Sequence, residues 1–170
     1  MTRAASFAPT IAPTARILIL GSLPGERSLA WQQYYAHPQT QFWRLVGGVV
    51  DSDLAGLAYE ARLAALATAG IALWDVIGSA ARPGSLDSQI RDHRPNDTAA
   101  LVASLPSLAA IGFNGAAAFR LGAPGLAASG LPLLRLPSSS PAYAAMSFTA
   151  KLQAWQALRP YLRIAPPSPP

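Results

Sequence analysis

The fold is decided by a short stretch near the start of the chain, Ile17-Leu18-Ile19-Leu20-Gly21-Ser22-Leu23-Pro24-Gly25. Its first four residues form an uninterrupted apolar run, which is typical of a strand buried on both faces. The two glycines and the proline that follow supply unusual backbone angles and allow other groups to approach closely. We therefore expect a buried strand that ends in a tight loop.

Large rings follow this loop. They lie within ten residues and are Tyr34, Tyr35, His37, Phe42 and Trp43. Because Pro38 divides them, they fit one helix face poorly. They fit the wall of a pocket better, since open α/β sheets bind ligands beyond the carboxyl ends of their strands.

The composition is that of one globular domain. The chain has 170 residues, of which 51% are hydrophobic and 12% charged, and this is enough for a single core. No apolar run reaches the roughly 18 residues of a membrane span. With no secretion signal visible either, we expect a cytoplasmic protein without a membrane partner.

Arginine carries almost all of the positive charge. The net charge is +5, with twelve Arg and a single Lys, which favours a polyanionic partner such as DNA. A genome rich in Arg, Ala and Pro would produce a similar balance. The absence of cysteine excludes disulfides and Cys-ligated metals. Since only His37 and His93 remain as histidines, we expect no metal and no cofactor.

Apolar runs alternate with helical patterns along the chain. We predict strands at 16–20, 71–77, 108–113 and 131–136, and helices at 42–50, 59–68, 96–105, 116–121 and from 147 onward. This alternation predicts a single α/β domain over residues 15–163, with a four-stranded parallel sheet flanked by helices. Residues 1–14 are predicted to be a flexible arm, and 164–170 a disordered tail.

Turn-rich segments follow every predicted strand. They are 21–25, 75–79, 112–115 and 137–141. Because the carboxyl ends of parallel strands share one edge of a sheet, we expect these segments to converge on one site. The connection 78–87 is long and rich in turn residues, which is typical of a functional loop.

Three common motifs are missing from the sequence. The loop 21–26 lacks the Gly-Lys-Ser/Thr ending of a phosphate-binding loop, and no Gly-x-Gly-x-x-Gly follows the first strand. No Gly-x-Ser-x-Gly elbow is present. These absences argue against the common nucleotide-binding and hydrolase sites.

The first loop and the rings together resemble a known motif. Gly21-Ser22-Leu23-Pro24-Gly25, followed by Tyr34-Tyr35-Ala36-His37-Pro38-x-x-x-Phe42-Trp43, is similar to the first motif of the uracil-DNA glycosylase superfamily, in particular its hypoxanthine-DNA (deoxyinosine) branch. The resemblance continues over roughly residues 15–160. It implies a monomeric enzyme that flips a deaminated base out of DNA and hydrolyses its N-glycosidic bond in base excision repair. Hypoxanthine is the expected base, and uracil a second.

The resemblance also suggests which residues bind the base. Tyr35 occupies the position of the aromatic that stacks on it, with Tyr34 or Phe42 as alternatives. Phe42 also suits core packing. Leu23 and Asn114, each in a turn-rich segment that follows a predicted strand, complete the expected base-binding set. Asn114 also opens a helix, where backbone N–H groups suit a phosphate.

The residue that holds the attacking water is left open. The mismatch-specific relatives carry an Asn where this chain has Leu23, and the deoxyinosine branch carries its catalytic Asn where this chain has Thr40. Threonine has a shorter reach than an amide and offers one oxygen. The catalytic candidates are therefore Thr40, Ser22, His37 and Asp75.

Asp75 has three interpretations. It can accept the ring N–H of hypoxanthine or uracil, or act as a base toward water. It can also simply cap a loop as the partner of Arg82. A carboxylate close to a base that gains negative charge is unfavourable, which favours water activation or a shifted pKa.

The DNA backbone is assigned to a serine-rich loop. Ser138, Ser139 and Ser140 resemble the second motif of the family, whose serines hold the backbone beside the flipped nucleotide, and Gly25 is expected to join them. Three serines are also common in ordinary loops. Tyr143 to Met146 are predicted to supply the wedge that fills the vacated stack.

The position of the only lysine bears on the reaction. Glycosylases that also cut the backbone form a Schiff base through lysine, and Lys151 is predicted to lie inside the last helix, away from the site. We therefore expect hydrolysis alone. Two other hypotheses are a damaged-DNA-binding module without catalysis and an enzyme for free nucleosides or nucleotides. Salt-sensitive binding to duplex DNA would favour the glycosylase and the DNA-binding module over the enzyme for free nucleosides or nucleotides.

Overall fold

The computed structural model describes residues 3–162. The strands in this range are Arg3–Ala5 (β1), Ile17–Gly21 (β2), Ile71–Asp75 (β3), Ile77–Ala81 (β4), Arg91–Pro95 (β5), Ala110–Asn114 (β6) and Leu133–Leu136 (β7). The α-helices are Glu26–Trp31 (α1), Phe42–Val50 (α2), Tyr59–Ala69 (α3), Thr98–Ala103 (α4), Ala116–Leu126 (α5), Phe148–Trp155 (α6) and Arg159–Leu162 (α7).

A four-stranded parallel sheet forms the centre of the domain. Its strand order is β3-β2-β6-β7, and all three pairings are parallel. The register pairs Gly21 with Asp75 and Asn114 with Leu136, so the last residues of the strands lie along one edge. The predicted single α/β domain with a four-stranded parallel sheet is confirmed.

Helices cover both faces of this sheet. In β2, Ile17 and Ile19 face a core that contains Phe42 and Trp155 from α2 and α6, whereas Leu18 faces a second core formed mainly with α4 and α5. Successive side chains of a strand point to opposite faces. A strand covered on both faces must therefore be apolar throughout, as the run at 17–20 is.

A second sheet was not predicted. Strands β1, β4 and β5 pair in the order β1-β4-β5, all antiparallel. The predicted strand 71–77 is in fact divided at Val76, and β4 begins at Ile77. The sequence does not signal this sheet because its strands are short, one contains Gly78 and Ser79, and every residue of β5 is exposed.

The amino-terminal segment is packed against the domain. Strand β1 pairs with β4, Thr10 forms a bridge with Leu73, and the Trp74 indole donates to the Phe7 carbonyl at 2.8 Å. The flexible arm expected over residues 1–14 is therefore wrong for residues 3–10. The predicted tail at 164–170 lies outside the described residues.

Helix α5 is longer than predicted. The sequence suggests an end near Leu121, because two glycines and Pro124 follow. The helix instead continues to Leu126, and Gly122 lets it pack closely on its neighbours: a Cβ there would come within 2.6 Å of Val76 Cγ2 and 2.8 Å of Phe113 Cε1. Within residues 3–162, no helix combines the length and the apolar character needed to cross a membrane.

Candidate active site

A cavity of about 620 Å³ opens at the carboxyl end of the parallel sheet. Its walls come from the ends of β2, β3 and β6, from the loop after β7, and from the loops that follow β2 and β4. Gly25 and Asp75 are among the residues that line it. The cavity therefore lies at the edge where the turn-rich strand ends meet.

Tyr35 forms a rigid part of this wall. Its ring stacks on Phe42 with 3.6 Å between centroids and 9° between planes. The Trp43 indole donates to the Tyr35 carbonyl at 3.0 Å, and the backbone at Tyr35 is left-handed, with φ 52°. Burial, with a smaller effect of Asp75, raises the pKa of the phenol well above its usual range. Tyr35 thus presents a neutral ring backed by Phe42.

Asp75 ends β3 and faces the same cavity. Its side chain is buried, with 4% exposed, and among the described residues Oδ2 has no hydrogen-bond partner. Burial raises the pKa of this carboxyl to about 7; the Asp87 carboxylate adds to the rise and the Arg82 guanidinium opposes it. A carboxyl with a pKa near neutrality can be present as the neutral acid.

Arg82 does not cap Asp75. Its Nε donates to the Gly84 carbonyl at 3.0 Å and its two Nη atoms donate to the carbonyls of Leu23 and Pro24. Within residues 3–162, Arg82 forms no ion pair within 4.0 Å. The guanidinium therefore fastens the loop after β4 to the loop after β2, which leaves Asp75 free for another partner.

The loop after β4 is attached to the first loop at two further points. The Ser22 hydroxyl donates to Asp87 Oδ1 at 2.6 Å, and the Glu26 N–H donates to the Ser85 hydroxyl at 2.9 Å. Because its proton is committed to Asp87, Ser22 can offer only an oxygen lone pair to a water. This weakens Ser22 as the residue that replaces the family amide.

Thr40 and His37 both line the cavity. The Phe42 N–H donates to Thr40 Oγ1 at 3.3 Å, which leaves the hydroxyl proton and one lone pair of Thr40 available. The Gln39 N–H donates to His37 Nδ1 at 3.1 Å. The proton of the neutral imidazole is then on Nε2, so His37 can act as a donor there.

The three serines differ in their surroundings. Ser139 is buried; its N–H donates to Asn114 Oδ1 at 2.9 Å and its hydroxyl accepts from Asn114 Nδ2 at 2.8 Å. The hydroxyls of Ser138 and Ser140 accept the N–H groups of Ser140 and Ala142, at 3.1 and 3.2 Å. Those two hydroxyl protons can still be donated to a phosphate.

Comparison with known proteins identifies the family. The model of the uracil DNA glycosylase superfamily matches residues 8–159. This chain belongs to the uracil DNA glycosylase superfamily. The resemblance seen in the sequence is thereby confirmed.

Two relatives and one solved structure are similar over most of the chain. A hypoxanthine DNA glycosylase of Methanosarcina acetivorans is 42% identical over 134 residues, which are 79% of this chain and 84% of the relative. Its counterpart in Methanosarcina barkeri is 43% identical over 109 residues, 64% of this chain and 69% of the relative. A solution NMR structure from M. acetivorans, provisionally named a uracil DNA glycosylase, gives a TM-score of 0.85 at 38% identity and covers 95% of this chain and 99% of that one. Family and relatives place this chain among the DNA glycosylases of this superfamily, and leave its reaction and the released base to be argued from the site.

Some predicted site residues of this superfamily member lie outside the cavity. Leu23 packs against Ile77 and Ala80, and Phe42 is fully buried beneath Tyr35. Neither side chain lines the cavity, and neither does the half-buried Met146. The expectation that Leu23 and Phe42 touch the base is therefore corrected, because both are needed to support the loops that do.

Other predicted residues line the cavity in roles that the sequence does not distinguish. Asn114 lines the cavity, but both ends of its side-chain amide are hydrogen-bonded to Ser139. Its Nδ2 also donates to the Tyr35 hydroxyl at 3.3 Å. Asn114 and Ser139 therefore fasten β6 to the serine loop. Gly25 and Tyr143 also line the cavity, and Tyr143 is exposed as a wedge would need to be.

Two groups near the cavity are not assigned to the site from the sequence alone. Ser85 and Asp87 line the cavity from the loop after β4, which Arg82 holds against the loop after β2, and the signal that could have found them is the long turn-rich connection 78–87. Lys151 lies beneath the serine loop and not away from the site: its Nζ donates to Gln41 Oε1 at 2.8 Å and to the Ser140 carbonyl at 3.4 Å. In residues 3–162, no three His, Asp or Glu residues cluster in a way that could bind a metal ion.

Proposed function

We propose that this protein is a monofunctional DNA glycosylase that hydrolyses the N-glycosidic bond of hypoxanthine, with uracil as a second base, in base excision repair. The observation that carries the proposal is the combination of a supported ring, Tyr35, and a carboxyl without a partner, Asp75, in one cavity. Two relatives are named hypoxanthine DNA glycosylases, which supports the choice of base.

Tyr35 is the surface on which the flipped base stacks. Removing a base from a duplex costs a few kcal/mol of stacking and pairing, and stacking on an aromatic ring returns about 1–3 kcal/mol. Phe42 and Trp43 hold the ring and its backbone in place. The ring is therefore oriented before DNA binds, and no further ordering is required of it.

Asp75 binds the edge of the base as the neutral acid. Hypoxanthine presents N1–H and C6=O side by side, and uracil presents N3–H and C4=O. A neutral carboxyl matches this edge twice, because its O–H donates to the base carbonyl and its other oxygen accepts the ring N–H. The O–H bond also stabilises negative charge on the departing base, which a carboxylate would oppose.

Hydrolysis then needs a water at the sugar. The oxygen of that water bonds to C1′ while the bond between C1′ and the base nitrogen breaks, and the electron pair of that bond leaves with the base. A water proton is released as the base takes one up. Thr40 has a free hydroxyl proton and a free lone pair for this water. Lys151 does not line the cavity, which favours hydrolysis without a Schiff base.

A second candidate function is binding of damaged DNA without catalysis. One observation favours it: Thr40 stands where the deoxyinosine branch carries its catalytic amide, and Thr40 Oγ1 already accepts the Phe42 N–H. A pocket of this kind could hold a flipped base yet position water poorly.

The test is base release from matched duplexes that contain deoxyinosine, deoxyuridine or deoxyxanthosine, each followed by alkaline cleavage. We expect release of hypoxanthine by the wild type, strong loss in Tyr35→Ala, and a small effect in Tyr35→Phe, which keeps the ring and serves as the matched control. Tight binding of each duplex with no release of any base would overturn the glycosylase and leave the binding protein.

A further inference from the structure

Lys151 is the one lysine of the chain, and it is buried beneath the loop that follows β7. Only 1% of its side chain is exposed. Its ammonium donates to Gln41 Oε1 at 2.8 Å and to the Ser140 carbonyl at 3.4 Å. It also lies 5.2 Å from the centre of the Tyr143 ring, a distance at which a cation attracts an aromatic face.

Among the described residues, no anion compensates this buried cation. Within residues 3–162, Lys151 has no carboxylate within 4.0 Å, and both of its hydrogen-bond acceptors are neutral. A buried charge is expensive unless it is paired, and burial accordingly lowers the pKa of this ammonium. The unpaired ammonium destabilises the free protein, so its presence at this position has to be explained.

The opposite side of the same loop supplies the explanation. The hydroxyl protons of Ser138 and Ser140 remain available there, at the wall of the cavity. A neutral loop with free hydroxyls above and a cation below is electrostatically suited to an anion on its outer surface. Because the interior screens weakly, a charge beneath the loop acts on such an anion more strongly than one exposed to water.

We propose that Lys151 is a positioning residue for a DNA phosphate: its buried charge attracts the phosphate bound by Ser138 and Ser140, and its hydrogen bonds hold the loop. This inference rests on the proposed DNA substrate. Lys151 does not touch the phosphate, since its ammonium is enclosed by Gln41, Ser140 and Tyr143. The charge of Lys151 acts through the loop on the phosphate next to the flipped nucleotide.

Two further contacts fix the geometry through which it acts. The Gln41 N–H donates to the Ser139 carbonyl at 3.1 Å, and the Trp155 indole donates to the Pro137 carbonyl at 2.9 Å. These bonds are neutral, so they can hold the loop without attracting DNA. Lys151 alone among these anchors carries a charge, and its contribution is therefore separable by neutral substitution.

The experiment measures affinity for a duplex that contains a tetrahydrofuran abasic analogue, over a series of salt concentrations. This probe has no base to release, so binding is independent of catalysis. Removing one phosphate-neutralising cation reduces the salt slope of log K by up to about 0.9. We expect Lys151→Met to bind about tenfold more weakly at low salt with a slope smaller by about 0.5–0.9, and Lys151→Arg to restore the slope.

Two variants control for loss of structure and for loss of net charge. Lys151→Gln is neutral but keeps a donor, so it decides the question if Lys151→Met does not fold. Arg62→Met removes a positive charge whose guanidinium contacts the carbonyls of Ala55 and Leu57, outside the cavity lining, and should leave the slope unchanged. A wild-type slope in both neutral Lys151 variants would overturn this proposal, whereas failure of the wild type to release any base would overturn only the proposed function.

Discussion

Asp75 lies so close to Gly21 that a Cβ at residue 21 would come within 2.5 Å of Asp75 Oδ1 and 3.1 Å of the Tyr35 hydroxyl. The backbone at Gly21 is not left-handed, so other residues could adopt it. What the position requires is the absence of a side chain at the point where β2 ends. Gly21 therefore makes room for the two side chains that we assign to the base.

Gly21→Ala is expected to damage the site more than the fold. The added methyl group must push the Asp75 carboxyl or the Tyr35 ring aside, and small misplacements in an active site reduce rates by one to two orders of magnitude. Overpacking of this kind costs about 1–3 kcal/mol of stability. We expect base release to fall about tenfold or more, and the melting temperature to fall only moderately.

The matched control is Gly125→Ala in α5, where a Cβ would have nothing within 4 Å. It should leave base release unchanged and stability equal or slightly higher. Equal activity of Gly21→Ala and the wild type would mean that neither Asp75 nor Tyr35 needs its observed position.

Asp75→Asn should make the protein more stable at alkaline pH. The folded pKa of about 7 lies above the ordinary value of 3.8, so the folded state retains the proton more strongly. The resulting stability is complete below pH 3.8 and is lost as the pH rises through 7, a total on the order of 4 kcal/mol. The amide does not ionise. Denaturant unfolding should show the variant above wild type at about pH 8, with the difference vanishing near about pH 4.

The same substitution tests how Asp75 binds the base. An amide has one donor and one acceptor, like a neutral carboxyl. If the neutral acid is the active form, wild-type kcat/KM falls as the pH rises through about 7, whereas Asp75→Asn remains active with a flatter profile. A dead Asp75→Asn, together with a wild-type rate that increases with pH, would instead identify Asp75 as a base that activates water.

Ser139→Ala and Ser140→Ala should have opposite consequences. Ser139 is buried and its hydroxyl accepts from Asn114, so its loss leaves an amide N–H with fewer partners and costs about 1–3 kcal/mol. Ser140 is exposed, and its loss should leave the melting temperature unchanged while weakening DNA binding. Thermal melts and binding to the abasic duplex separate the two effects. Equal losses of affinity without destabilisation would show that Ser139 also binds DNA.

The sequence predicted what depends on local pattern. The apolar run at 17–20 identified a strand covered on both faces, and the turn residues after each strand located the cavity. The second sheet is not predicted, because every residue of β5 is exposed and the strand shows no alternation of apolar and polar residues. Lys151 does lie inside the last helix, as the sequence predicts, but next to the site and not away from it. Helical spacing does not say which loop packs on a helix, and that depends on the long-range contact with Gln41.

Within the site too, local pattern predicts some residue roles, whereas others depend on long-range contacts. Tyr35 was expected to stack, and its ring does line the cavity on top of Phe42. Phe42 and Leu23 belong to the same stretch of sequence but lie behind the wall, because Leu23 packs against Ile77 and Ala80 and Phe42 lies beneath the Tyr35 ring. Which of three serines is buried likewise depends on Asn114, which stands 25 residues away from Ser139 in the chain.

Thr40→Asn is expected to increase base release. Thr40 Oγ1 accepts the Phe42 N–H at 3.3 Å, and an amide can keep that bond through its oxygen while its NH₂ group extends further toward the cavity. Better orientation of the water should raise the single-turnover rate by about tenfold or more. Thr40→Val, which has the same shape without the hydroxyl, is the control and should fall below the wild type.

The rates of the two variants together decide where the water is held. A gain in Thr40→Asn and a loss in Thr40→Val place the water at residue 40, and mean that this chain works with a weaker holder than the amide. A loss in both would mean that the hydroxyl itself is the competent group and that its short reach fits this cavity. Wild-type rates in both would remove Thr40 from the mechanism and leave His37, through its Nε2–H, as the residue to substitute next, because the Ser22 proton is already committed to Asp87.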